Sequence, residues 1–215
     1  MSRKMVFSMA LVALFVAFIV ATLMHNVEPG EGSGFDGVNR PTLERSHAPA
    51  MGNPQAGVVI VEFLDPACET CAAFYPMVKQ LIAAHPERIR LMVRYAPFHK
   101  GSDQVVAALE AARRQDRFWQ ALEALLAAQS DWVVHHVAQP ERIWPHLERA
   151  GLDLARLRRD MELPEINRVI EQDLLDARAL NVTKTPGFFV NGRPLMHFGY
   201  EPLQALVEEA LKATR

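Results

Sequence analysis

One stretch, residues 58–76 with the sequence VVIVEFLDPACETCAAFYP, constrains the fold more than any other. Its first seven residues are apolar and rich in β-branched side chains, apart from one glutamate, and this pattern predicts a buried strand. Asp65 and Pro66 end the pattern. A Cys-x-x-Cys pair follows at Cys68 and Cys71, and a helical pattern begins at the second cysteine. A strand, a short loop and a dithiol at the start of a helix are typical of a redox site.

The two cysteines are expected to have different roles. Cys68 comes first, at the tip of the predicted helix, where backbone N–H groups and a partial positive charge favour a thiolate. Because the thiolate is the form that attacks disulfides, we predict that Cys68 is the nucleophile and that Cys71 resolves the mixed disulfide. A zinc site would need about four ligands, but the chain has no second Cys-x-x-Cys and no histidines at ligand spacing. We therefore predict neither a bound metal nor a cofactor.

The composition agrees with a redox role for the cysteines, because both of them belong to the one Cys-x-x-Cys motif. The chain has only two cysteines, so it is not a disulfide-stapled scaffold. Half of its residues are apolar, which is enough for the core of one domain of ordinary size. Its formal net charge of −2 provides no strong field for a nucleic acid, and we predict no nucleic-acid partner.

The amino-terminal segment predicts a membrane anchor. Met5 to Met24 contains 20 residues without a charge, a proline or a glycine. At about 1.5 Å per residue, such a helix spans a hydrocarbon core of roughly 30 Å. Arg3 and Lys4 precede it, which places residues 1–4 in the cytoplasm and the rest of the chain in the periplasm or outside the cell. The alternative is a cleaved signal peptide, although this run is longer than the usual apolar core of about 7–15 residues.

Residues 25–56 follow the anchor and are rich in glycine and proline, with little periodicity. They predict a flexible linker and an irregular lead-in. Residues 57–215 then predict a strand, a helix and a second strand, followed by helices only from 102 to about 180, of which those at about 102–163 form an insertion. A strand, an Asn-Gly turn, a return strand at 194–197 and a final helix close the chain. This order predicts an α/β fold with a helical insertion.

Four features together resemble the DsbA-like branch of the thioredoxin superfamily, over residues 46–213. They are the lead-in and strand AMGNPQAGVVIVEFLDPACETC, Pro76 in the helix after the dithiol, the helical insertion, and Thr185-Pro186 in TKTPGFFVNGRPL. The resemblance implies a thioredoxin-like fold and thiol:disulfide oxidoreductase activity. It also implies that Pro186 is a cis-proline and that Thr185 binds a substrate strand through its backbone.

Glu62 lies in the middle of the first predicted strand, six residues before Cys68. A buried carboxyl group there would have a raised pKa and would exchange a proton with Cys71 during the reaction. The DsbA-like family has a glutamate at the matching place. The alternative is a glutamate at a strand edge that reaches water.

Glu69 and Thr70 lie between the two cysteines and are expected to tune the redox equilibrium. The strongly oxidising members of the family carry Pro-His at this place. A glutamate opposes a neighbouring thiolate, which makes the reduced form less stable and the protein a weaker oxidant. The direction of electron flow therefore stays open between oxidant, reductant and isomerase.

These inferences combine into one functional prediction. We expect a membrane-anchored thiol:disulfide oxidoreductase that exchanges disulfides with cysteine-containing exported proteins, and a membrane redox partner that recycles its dithiol. One alternative is a Cu(I)-binding or metallochaperone module, because soft thiolates select Cu(I). Another is a non-catalytic assembly factor on the same fold.

Overall fold

The computed structural model describes residues 40–214. The predicted cytoplasmic residues 1–4, the anchor at 5–24 and the linker up to residue 39 lie outside the described residues. Among residues 40–214, no helix has the length and apolar character needed to cross a membrane.

One mixed sheet forms the centre of the domain. The described strands are β1 (Ala50–Gly52), β2 (Val58–Leu64), β3 (Ile89–Tyr95), β4 (Val133–Val134), β5 (Val137–Ala138), β6 (Gly187–Val190) and β7 (Arg193–Pro194). Five of them form the sheet in the order β1-β3-β2-β6-β7, while β4 and β5 form a separate hairpin. β2 and β3 are parallel, and the other neighbouring pairs are antiparallel. The predicted α/β layout is confirmed.

The central strand β2 is buried along its whole length, and its side chains alternate between two cores. Val58, Ile60 and Leu64 pack in the larger core, which also contains Cys71. Val59, Val61 and Phe63 pack in a smaller core on the other face. Since side chains alternate along a strand, Glu62 faces the larger core, on the side of the cysteines.

Helices cover both faces of the sheet. They are α1 (Arg40–Leu43), α2 (Glu69–Ala84), α3 (Ser102–Arg113), α4 (Phe118–Ala127), α5 (Gln129–Trp132), α6 (Trp144–Arg149), α7 (Leu154–Met161), α8 (Pro164–Ala179) and α9 (Tyr200–Ala213), with a 3₁₀ turn at Pro140–Arg142. Helix α2 begins directly after Cys68 and contains Pro76. The insertion at about 102–163 corresponds to α3–α7.

The insertion also contains the β4–β5 hairpin, which the sequence pattern did not predict. Each strand has two residues, too few to produce a periodic signal. Its turn is formed by His135 and His136, both at positive φ, instead of the Asn or Gly that usually mark such turns.

The structure differs from the expected domain boundary at residue 57. β1 is part of the sheet and pairs with β3, and the side chain of Arg45 bonds to Asp176 of α8. The lead-in is therefore folded onto the domain from residue 40. A three-residue strand and long-range ionic contacts leave no local pattern in a segment rich in glycine and proline.

The predicted return strand at 194–197 is also shorter than expected, because β7 ends at Pro194. Phe189 lies opposite Pro194 in the β6–β7 pair. Continuing that register would place residue 197 opposite Pro186, which has no N–H to donate. The chain instead forms a loop at residues 195–199.

Candidate active site

The two cysteines lie at the start of α2, as predicted, and both are free thiols. Cys68 is the N-cap of α2 and Cys71 is in its first turn. Cys71 is fully buried, and Cys68 is only 7% exposed, more buried than the sequence suggested. The cis-proline loop covers it, since Cys68 Sγ lies 3.3 Å from the carbonyl oxygen of Thr185.

The surroundings of Cys68 favour its thiolate. A hydrogen bond from the Cys71 thiol is the main cause that lowers the pKa of Cys68 from 9.0 to about 5. Burial opposes this shift, while the side chain of Thr185 and the backbone N–H groups of Thr70 and Cys71 add to it. Since hydrogen bonds to a charged group favour that charge, Cys68 is a thiolate at neutral pH.

Cys71 has the opposite character. Burial is the main cause that raises the pKa of Cys71 well above 9.0, and its hydrogen bond to Cys68 and the charge of Glu62 raise it further. One thiol of the pair is therefore ionised and the other keeps its proton. This separation suits an attacking and a resolving cysteine.

Glu62 is completely buried on β2, which decides against the alternative of a glutamate that reaches water. Neither of its carboxylate oxygens has a hydrogen-bond partner among residues 40–214. Burial, with a smaller contribution from the charge of Cys68, raises the pKa of Glu62 from 4.5 to about 8. A buried polar group without a partner is costly, and its place beside Cys71 suits proton exchange with that thiol.

The structure brings the predicted loop of Thr185 and Pro186 against the dithiol. The peptide bond between them is cis, as the resemblance implies. β6 begins at the next residue and pairs with β2, so the sheet holds this loop beside Cys68.

Glu69 and Thr70 are both exposed at the tip of α2. Glu69 faces the β4–β5 hairpin, where its Oε1 lies 3.7 Å from Nδ1 of His136. Thr70 acts on the dithiol through its backbone N–H, one of the groups that lower the pKa of Cys68.

Asp65 is a site residue that the sequence reading treated only as the end of a strand. It is fully buried, and its Oδ2 accepts hydrogen bonds from the backbone N–H groups of Phe98 and His99, both at 2.8 Å. The His99 ring and the Ser102 hydroxyl also bond to it. Asp65 thus fixes the loop before Cys68 to the start of the insertion. The Asp-Pro step was its only local signal.

Aromatic side chains of α2, β6 and the loop at residues 195–199 form a cluster. The rings of Phe74 and Phe198 lie 4.7 Å apart, and Phe74 also contacts Phe188, at 6.0 Å. Phe198 is 55% exposed and Met196 is 77% exposed. They extend this apolar surface to the solvent.

A thioredoxin-type sheet, an ionised cysteine at the start of a helix and a cis-proline beside it form a redox site of the thioredoxin type. The chain belongs to the thioredoxin family, whose model, described as "Thioredoxin", matches residues 44–209. The DsbA-like resemblance drawn from the sequence is confirmed at the level of family and fold.

Two solved structures illustrate the relationship. A thioredoxin-like oxidoreductase from Silicibacter pomeroyi is 32% identical, with a TM-score of 0.71 over 81% of this chain and 98% of that one. The thiol-disulfide exchange protein alpha-DsbA2 from Wolbachia pipientis is 22% identical, with a TM-score of 0.67 over 80% of this chain and 91% of that one. The second likeness shows the shared fold.

One relative carries the name of an antiporter, which is not the name of a redox enzyme. The Na(+)/H(+) antiporter NhaA of Herminiimonas arsenicoxydans is 30% identical over 76% of this chain and 26% of its own length. The chain thus spans about a quarter of the length of this relative and of two similar antiporters from Salinispora.

Proposed function

We propose that this chain is a membrane-anchored enzyme that exchanges disulfides with cysteine-containing exported proteins on the outer side of the inner membrane. The observation that carries the proposal is the contrast within the dithiol, where the pKa of Cys68 is lowered to about 5 and that of Cys71 is raised by burial. A thiolate beside a protonated thiol is the arrangement from which exchange starts.

In the reducing direction, the Cys68 thiolate attacks one sulfur of a client disulfide, and the client's other sulfur leaves as a thiolate. Cys71 then loses its proton and attacks Cys68 Sγ, which breaks the mixed disulfide and releases the second client thiolate. The enzyme ends with a Cys68–Cys71 disulfide, and the client has gained two electrons. Oxidation of a client is the same sequence in reverse.

Glu62 supplies the proton step in this proposal. With a pKa of about 8, its carboxyl group exchanges protons near neutral pH, where a general acid or base works best. It accepts the proton that Cys71 loses when Cys71 attacks and returns it in the reverse direction. Thr185 and Pro186 hold the client strand beside Cys68, and the surface around Phe198 accepts its apolar side chains.

The anchor, the periplasmic location and the membrane redox partner are parts of the same proposal. They are supported by the apolar segment 5–24 and the basic residues before it, since such a segment retains the chain at the membrane. An enzyme that uses its dithiol repeatedly also needs a partner that resets it. Labelling of Cys68 in intact spheroplasts with a membrane-impermeant maleimide tests the location.

The exchange reaction is tested with the full-length chain in membranes. We expect wild-type protein to reduce insulin, Cys68→Ser to have no measurable turnover, and Cys71→Ser to accumulate mixed disulfides with clients. The matched pair separates the attacking thiol from the resolving one. Function in the cell that is unchanged by Cys68→Ser would instead favour the non-catalytic assembly factor.

The direction of flow is tested by the reduction potential of the Cys68–Cys71 couple. A value near about −120 mV is that of an oxidant and one near about −270 mV that of a reductant. We place this chain between them, because a carboxylate at position 69 opposes the thiolate that the hydrogen bonds stabilise.

A further inference from the structure

The β4–β5 hairpin carries an imidazole to the variable residues of the Cys-x-x-Cys motif. Nδ1 of His136 lies 3.7 Å from Oε1 of Glu69, and the two side chains are 72% and 66% exposed. His136 is 67 positions from Glu69 in the sequence. The fold therefore brings a basic side chain to an acidic residue that directly follows the nucleophile.

The backbone of the hairpin indicates that this position has a role. His135 and His136 adopt φ angles of 49° and 61°, in the left-handed region where a side chain costs about 1–2 kcal/mol. Asn and Gly occupy such turns at lower cost. The two histidines adopt this costly conformation in the turn. Residues held in such conformations cluster at functional sites.

The hairpin is fixed at its base, so the position of His136 is defined. The N–H of Ala138 donates to the carbonyl of Lys100 at 3.0 Å, and the N–H of Gln139 donates to the carbonyl of Trp132 at 2.7 Å. The Trp132 side chain is fully buried. The tip projects from this base to the start of α2.

Two titratable side chains face the His136 imidazole, and two others belong to the segments that carry it. His135 is its neighbour in the turn, and Glu69 faces it from α2. The His99 ring lies 6.4 Å away and is itself bonded to Asp65 at 2.7 Å. The charge of Lys100 lies on the segment that anchors the hairpin. Glu69 has no ion-pair partner besides His136 among residues 40–214.

We propose that His136 is a positioning residue that offsets the charge of Glu69 and thereby tunes the dithiol–disulfide equilibrium of Cys68 and Cys71. This inference rests on the proposed exchange reaction. The Glu69 carboxylate opposes the Cys68 thiolate, and a protonated imidazole beside it cancels part of that effect. The reduced form is then more stable, and the protein is a stronger oxidant than its Glu-Thr dipeptide alone predicts.

The equilibrium with glutathione measures this effect directly. The enzyme dithiol reacts with oxidised glutathione, whose S–S bond breaks while the Cys68–Cys71 bond forms. Two electrons pass to oxidised glutathione, which takes up the proton of Cys71 and one proton from the solvent and leaves as two molecules of reduced glutathione. With the full-length chain, we expect His136→Asn to shift this equilibrium toward the enzyme disulfide by about two- to fivefold.

His135→Asn is the matched control. It changes the neighbouring histidine of the same turn, and asparagine tolerates the left-handed conformation at both positions. We expect its equilibrium to equal that of the wild type. An equal shift in both variants would indicate an effect on the turn itself and would overturn the proposed role of His136.

A double-mutant cycle tests whether the effect passes through Glu69. We expect Glu69→Gln to shift the equilibrium toward the dithiol, and His136→Asn to have less than half of its original effect in that background. Simple additivity would overturn the coupling. The difference between wild type and His136→Asn must also shrink in high salt, which screens exposed charges.

Insulin reduction by the same wild-type preparation separates the two proposals. An inert wild type overturns the exchange reaction and this inference together. An active wild type whose equilibrium is unchanged by His136→Asn overturns only the role of His136.

Discussion

Two ionisable residues of the central sheet, Glu62 and Arg94, are buried on opposite faces in opposite ways. On the face of the cysteines, Glu62 is fully buried and its carboxylate has no hydrogen-bond partner among residues 40–214. On the other face, Arg94 is also fully buried, but it donates to Asp173 at 2.9 and 2.6 Å and to Asp176 at 2.6 Å. Glu62 of β2 lies opposite Val93 of β3, and Arg94 is the next residue along β3.

The pKa values show what this difference means. Burial and the nearby thiolate raise the pKa of Glu62 to about 8. Burial alone would also raise the pKa of Asp176, but hydrogen bonds from Arg45 and Arg94 lower it below its ordinary value. The paired carboxylate is charged at neutral pH and stabilises the fold. The unpaired one changes its charge near neutral pH, as a proton carrier must.

The largest expected effect comes from breaking the paired cluster. Arg94→Met leaves Asp173 and Asp176 buried without their central cation, and it removes the bond from Arg94 Nη1 to the Leu43 carbonyl at 3.0 Å. We expect the free energy of unfolding to fall by about 3–5 kcal/mol, measured by chemical denaturation. The alkylation rate of Cys68 is the internal control, because Arg94 lies on the other face. A loss below about 1 kcal/mol would contradict the role given to this cluster.

The second prediction concerns pH and the unpaired carboxyl group. Because its pKa is raised on folding, folded Glu62 holds a proton that the unfolded chain releases. Its contribution to stability therefore falls as the pH rises from 4.5 to about 8, by up to about 1.4 kcal/mol per pH unit. Cys68 has the opposite slope between about 5 and 9.0 because its pKa is lowered, so the useful quantity is the difference between Glu62→Gln and wild type.

We expect the stability of reduced Glu62→Gln, relative to reduced wild type, to increase with pH across this window and to be level above it. Asp176→Asn is the comparison variant. The lowered pKa of Asp176 means that its contribution is present at neutral pH and is lost on acidification. The penalty for Asp176→Asn should therefore shrink toward acid pH. Parallel pH profiles for wild type and Glu62→Gln would contradict the buried, proton-carrying state of Glu62.

The third prediction concerns the charge of the Cys68 thiolate, which a hydrogen bond stabilises in place of an ion pair. The Cys71 thiol provides the largest contribution that lowers the pKa of Cys68. We expect Cys71→Ala to raise the pKa of Cys68 by about one unit, equivalent to about 1.4 kcal/mol, whereas Cys71→Ser retains a donor and keeps it near 5. Ultraviolet absorbance of the thiolate as a function of pH measures both. Equal pKa values in the two variants would show that this hydrogen bond is not the cause.

The sequence predicted the functional residues on the cysteine face of the sheet better than the ion-pair cluster on the other face. Glu62, Cys68 and Cys71 lie within ten consecutive residues, so a strand pattern and a motif placed all three. Arg94 was read only as part of an alternating strand, because its partner Asp173 is 79 positions away. The contact of His136 with Glu69 could not be predicted for the same reason, because only the tertiary structure brings these residues together. The turn that carries His136 also lacks the usual turn residues.

The smallest expected effect separates the centre of the paired cluster from its rim. Arg45 bonds to both oxygens of Asp176 at 2.8 Å, but its side chain is 35% exposed, while that of Arg94 is fully buried. Solvent screens the outer pair and leaves Asp176 its bond to Arg94. We therefore expect Arg45→Gln to lower the free energy of unfolding by only about 1 kcal/mol, and by less in high salt. A loss as large as that of Arg94→Met would mean that the lead-in segment, and not the buried guanidinium, organises this face of the sheet.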